Sequence, residues 1–121
     1  MPQLDPARLQ LADPHLVLLL SLLARHVPEA DVWAYGSRVT GGCHEGSDLD
    51  LVLRHPQDLG QEVADWFDLK EALQDSSLPM LVEIHLWPRL PAAFHAEIER
   101  GYVVVQVGVR GVDVANAGDE V

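Results

Sequence analysis

One cysteine and one lysine are all that this 121-residue chain contains of either type, and both scarcities exclude something. A lone thiol, Cys43, cannot close an internal disulfide, and that suits a reducing cytoplasm. It lies beside Gly42 with only the adjacent His44 as neighbouring imidazole, so it reads as an incidental loop thiol. His44, Glu45 and His55 likewise lack any zinc-ligand spacing. The single lysine, Lys70, is part of a strong imbalance of 8 basic against 19 acidic residues and a net charge of −11. Gripping a long nucleic acid needs clustered Lys and Arg, so that class of substrate is excluded, and a basic partner surface suits the chain better. Long apolar runs are missing too. The longest, Leu16 to Leu20 and then Leu22 to Ala24, fall well short of the ~18 residues a membrane span requires. No basic leader precedes them, so neither a membrane anchor nor export is expected.

What is present reads as one globular domain, with 48% apolar residues around a single core. No internal repeat or linker interrupts it. Asp13-Pro14 reads as a helix cap and first helical residue, and a helix is expected over about 14 to 26. A strand follows at 31 to 35, a short helix from Ser37, and a strand at 48 to 54. A long helix is expected over 57 to 75, where Leu59, Val63, Trp66 and Leu73 recur at helical steps with Asp58, Glu62, Asp65 and Lys70 on the wet side. Beyond it come a strand at 81 to 87, a helix at 91 to 100 and an apolar strand-like run from Tyr102 to Val109. The domain is placed at 1 to 109, and residues 110 to 121, without periodicity, read as a mobile tail.

The chemistry concentrates in residues 36 to 50. A Gly36-Ser37 pair ends the strand Asp31-Val-Trp-Ala-Tyr35, and after ten intervening residues Asp48 and Asp50 alternate with Leu49, Leu51 and Leu53. Side chains alternate along a strand, so the two aspartates project to one side, roughly 6 to 7 Å apart at Cα, while the leucines face a core. Carboxylates held this close repel, and a hard divalent cation shared between them removes that penalty. Gly36 permits close backbone approach, and Ser37 at a helix start offers a hydroxyl and unpaired amides to an anion. Arg38 can serve either as a guanidinium fork for phosphate or as the partner of a nearby acid. The segment therefore points to a nucleoside triphosphate joined through metal to Asp48 and Asp50.

Further along, Val82, Ile84 and Leu86 alternate with Glu83 and His85. If this strand neighbours that of Asp50, Glu83 falls on the aspartates' face. His85 shares that face, and as a lone histidine it is read here as an ordinary polar residue rather than part of the site.

Gly36-Ser37 with Asp48-x-Asp50 at this separation resembles the signature of the minimal nucleotidyltransferases of the DNA polymerase beta superfamily. The likeness extends through Ala24-Arg-His-Val-Pro28, Val32-Trp-Ala-Tyr-Gly-Ser-Arg38, Val82-Glu-Ile84 and Leu90-Pro91, spanning roughly residues 14 to 107. It implies the α/β (α+β) nucleotidyltransferase fold, a small mixed sheet with helices on one face and the catalytic carboxylates on the open face. In that family a third carboxylate, usually aspartate, completes the metal site, and Glu83 stands there, one methylene longer. The resemblance thus implies catalytic and metal roles for Asp48, Asp50 and Glu83, and a nucleotide cradle of Gly36, Ser37, Arg38 and Ser47. It also implies Mg²⁺ and ATP.

Larger relatives carry extra parts that hold their acceptors; a chain of this size is expected to borrow that surface from a partner. Small members that the chain resembles act as cytoplasmic antitoxins paired with a HEPN-domain ribonuclease toxin, some silencing it by adding AMP to a hydroxyl. Protein adenylylation within a hetero-oligomer is the function so implied. Two alternatives stand beside it: a non-catalytic antitoxin that covers the toxin with a vestigial site, and transfer to a small molecule such as an aminoglycoside.

Overall fold

The computed structural model describes residue 4, residues 9 to 40 and residues 48 to 108. Ser47, Cys43, His44 and Glu45, and the tail placed at 110 to 121, lie outside these. Among the described residues four strands form a mixed sheet in the order β3-β2-β1-β4. Strand β1 is Asp31–Tyr35, β2 Leu49–Arg54, β3 Val82–Leu86 and β4 Val103–Gln106. β1 runs antiparallel to both β2 and β4, while β2 and β3 are parallel. A parallel pair needs a crossover, and the chain between Arg54 and Val82 supplies it through helix α3, Trp66–Gln74.

The alternation read from the sequence sorts the sheet into two faces. Val32, Ala34, Leu49, Leu51 and Leu53 are fully buried on one of them, with Val82, Leu86 and Val103 nearly so. Helix α1, Asp13–His26, and α3 lay Leu19, Leu23, Leu69 and Leu73 across that face. Leu51 lies at the centre of this layer with no exposed surface. Truncation of such a leucine removes buried methyl groups and leaves a cavity, so Leu51→Ala is expected to cost about 2–5 kcal/mol in chemical denaturation, and a loss below about 1 kcal/mol would contradict this packing.

Among the boundaries that differ from the sequence reading are the starts of two helices. Helix α1 begins at Asp13, with Ala12 at the N-cap in extended conformation and no side-chain cap bond. Asp13 instead places its charge in the first turn, where the helix dipole favours an acid. Helix α3 begins at Trp66, not near 57. The cause is local side-chain competition for the backbone: His55 Nδ1 accepts from the amides of Gln57 and Asp58, and Asp58 Oδ1 accepts from Gly60 N at 3.0 Å. Those bonds set a turn where the helical pattern alone suggested a first helical turn, and Leu59 consequently stays exposed.

The second face is covered in part. Trp33, Tyr35 and Val52 point there, and an apolar patch of that size needs a lid. Trp87, in one 3₁₀ turn Trp87–Arg89, joins Ile98 and Phe94 of helix α4, Ala92–Glu99, to bury it. Tyr102 stacks on Trp33 at 3.8 Å between ring centroids. The guanidinium of Arg54 lies 3.8 Å from the Trp33 ring and 4.5 Å from that of Trp87. This lid sits over the β1 side. No helix among the described residues is long and apolar enough to cross a membrane.

Candidate active site

Of the residues that the sequence singled out, Gly36, Asp50 and Glu83 come together where β1, β2 and β3 run side by side. Tyr35 pairs across the antiparallel ladder with Asp50, and Asp50 pairs across the parallel ladder with Glu83. Residues in register on neighbouring strands share a face, so Tyr35, Asp50 and Glu83 stand three abreast. The neighbouring row is Trp33, Val52 and His85, again in register. The condition on which Glu83 depended, that its strand neighbour that of Asp50, is met.

Gly36 follows directly at the end of β1 with φ +86°, a left-handed conformation that disfavours any side chain. A Cβ there would lie 2.7 Å from Asp50 Oδ2. The missing side chain is thus what lets the carboxylate lie against the backbone. The other oxygen faces the opposite way: Asp50 Oδ1 is 3.9 Å from His85 Nε2, which is 3.7 Å from Glu83 Oε1. Among the described residues these three groups form a set whose ligand atoms all lie within 4.8 Å of one another.

Asp50 is half-buried, and its pKa is raised, first by burial, then by the Glu83 charge, with Asp48 adding to the rise and His85 opposing it. Tyr35, with its hydroxyl buried, has its own pKa raised by burial and by the charges of Asp50 and Glu83, so it remains a neutral phenol. Negative charge is thus concentrated in partly desolvated surroundings, and the three groups could hold a cation.

The remaining expected residues are placed as follows. Asp48 is exposed, one residue before β2, and stands outside the tight set. Ser37 is exposed at the start of helix α2, a single turn over Ser37–Thr40. Arg38 is buried at 7% exposure, and its Nη1 donates to Gln10 O at 2.8 Å while Gln10 N donates to Arg38 O; it ties the segment before α1 to α2. Beside Gly36 and Asp50 opens a cleft of about 390 Å³ whose other wall is Phe94, Glu97 and Arg100. His85 is the residue that the sequence reading set aside. The signal for it was present, since period-two alternation put it on the Glu83 face.

A family model described as a nucleotidyltransferase domain matches residues 18–109. The chain belongs to that family. It is also 34% identical over 111 residues to a probable protein adenylyltransferase, MntA, of Haemophilus influenzae, an alignment covering 92% of this chain and 96% of that protein. The chain is therefore a nucleotidyltransferase of the minimal type, and the carboxylate row at the end of its parallel strand pair lies inside the matched region.

Proposed function

We propose that this nucleotidyltransferase moves AMP from ATP to a hydroxyl of a partner protein, with a cytoplasmic HEPN-domain toxin as that partner. The observation that carries the reading is the register of Asp50 opposite Glu83, beside the side-chain-free Gly36. The similarity to a probable protein adenylyltransferase supports the choice of a protein acceptor. The acidic surplus suits a basic partner.

The donor set fits a divalent cation, two carboxylates and an imidazole with Asp48 at the rim; Mg²⁺ is the ion that the family resemblance implies. When bound, such an ion neutralises charge on the phosphates as displacement proceeds. Gly36 and Ser37 bound the approach for the phosphates, and the adjoining cleft has room for the nucleoside end. The acceptor hydroxyl oxygen attacks the α-phosphorus, its new bond forming as the bond to the pyrophosphate oxygen breaks. Glu83, half-exposed at the edge of the row, takes the hydroxyl proton.

Incubated with ATP, Mg²⁺ and its HEPN-domain partner, the protein is expected to raise the partner's mass by whole AMP units. The double variant Asp48→Asn/Asp50→Asn is expected to add none. Undiminished transfer by that variant would sink the assignment, and wild-type protection of the partner without any mass change would favour neutralisation by covering.

A further inference from the structure

His85 brings an imidazole nitrogen to the carboxylate centre. Its Nε2 stands 3.9 Å from Asp50 Oδ1 and 3.7 Å from Glu83 Oε1. Both separations are too long for a hydrogen bond. They are within reach of a shared ion, because two ligands each ~2.0–2.2 Å from one metal stand at most ~4.4 Å apart. The ring is also held in place: it packs edge-on against Phe94 at 6.4 Å and beside Tyr35 at 6.0 Å between centroids. Residue 85 is in register with Val52, one row from the Asp50–Glu83 pair, so the same ladder that aligns the two carboxylates fixes the imidazole beside them.

Oxygen-only sites suit Mg²⁺, a hard ion that keeps its waters, whereas an imidazole beside two carboxylates favours a first-row transition metal, of which Mn²⁺ is the one that also suits carboxylates. We propose that His85 is a direct metal ligand, and that the Asp50–Glu83–His85 set binds Mn²⁺ in preference to Mg²⁺. The inference rests on the carboxylate centre described above and adds to it the identity of a third donor and the class of ion.

The test is metal binding by the isolated protein without nucleotide, read as free Mn²⁺ by electron paramagnetic resonance with Mg²⁺ as competitor. Wild type is expected to bind Mn²⁺ more tightly than Mg²⁺, and the bound Mn²⁺ to show an imidazole nitrogen coupling in spin-echo modulation. His85→Ala is expected to weaken Mn²⁺ by at least the ~10-fold that even loss of an outer-shell partner costs, leave Mg²⁺ nearly unchanged and abolish the coupling. His85→Asn, which restores an oxygen donor, is expected to keep Mg²⁺ without recovering the Mn²⁺ preference. Because His85 is partly exposed, both variants are expected to fold, as melting curves verify. Equal Mn²⁺ affinity in wild type and His85→Ala, or no nitrogen coupling, overturns this inference and leaves the carboxylate centre standing. Failure of wild type to bind either ion, with Asp50→Asn indistinguishable from it, overturns both.

Discussion

Asp50→Asn is expected to abolish nucleotidyl transfer while making the metal-free protein more stable at neutral pH. The first effect follows from position. Asp50 lies between Glu83 on one side and Gly36 on the other, so its two oxygens face both the carboxylate–imidazole set and the backbone at the phosphate approach. Loss of charge stabilisation worth several kcal/mol, at about 1.4 kcal/mol per factor of ten, lowers turnover at least ~100-fold. The second effect follows from the raised pKa. Burial and Glu83, with Asp48 behind it, penalise the ionised carboxylate, and His85 offsets only part of this.

An acid whose folded pKa lies above its unfolded one favours the folded state at pH values below the unfolded pKa. That contribution is lost as pH rises through the folded pKa. In the presence of a chelator, the variant's melting temperature should therefore exceed that of wild type at neutral pH. The gap should close as pH falls toward the ordinary aspartate value near ~3.9. A variant that is less stable than wild type at neutral pH, or that retains transfer, would contradict the role given to Asp50. The pairing of lost activity with gained stability is what a strained, pre-organised site produces.

The chain advertises half of this site openly. Gly36-Ser37 and the alternation of Asp48 and Asp50 with Leu49, Leu51 and Leu53 need only local geometry, because strand periodicity is a property of adjacent residues. The buried leucines confirm the inward face. Which strand lies beside β2 is a different kind of fact. It is set by long-range pairing and by α3 crossing the helix-covered face, and no window of sequence encodes it; so the place of Glu83 depends on the register with Asp50. His85 escaped for the same reason. A single histidine carries no ligand spacing of its own; Glu83 is its neighbour by alternation on the same strand, but the second carboxylate, Asp50, is supplied by the adjacent strand. Arg38 illustrates the converse. Its sequence position beside Ser37 leaves phosphate and a neighbouring acid equally open as partners, and its burial and bond to Gln10 O, 28 residues away, belong to the tertiary structure. The lid of α4 over Trp33 and Tyr35 was similarly silent, since two aromatics in a strand do not say which element covers them.

Gly36→Ala is expected to be the most damaging change of a residue that carries no functional group. Two costs add. A residue with a Cβ held near φ +86° is strained by about 1–2 kcal/mol. The new methyl also meets Asp50 Oδ2 at 2.7 Å, a distance real Cβ atoms essentially never show, so the carboxylate has to turn away. Turning Oδ2 moves Oδ1 out of its place facing His85, and a misplacement of ~1 Å is enough to lower turnover ~100-fold.

The two costs separate in a double-mutant cycle with Asp50→Ala, measured by denaturant unfolding. Removing the carboxylate abolishes the clash and leaves the backbone strain. Gly36→Ala should thus be less destabilising on the Asp50→Ala background than on wild type, by at least ~0.5 kcal/mol, the coupling expected of residues in contact. If the two substitutions are instead additive, Gly36 is required for its backbone angle alone, and Asp50 reaches its position without leaning on it.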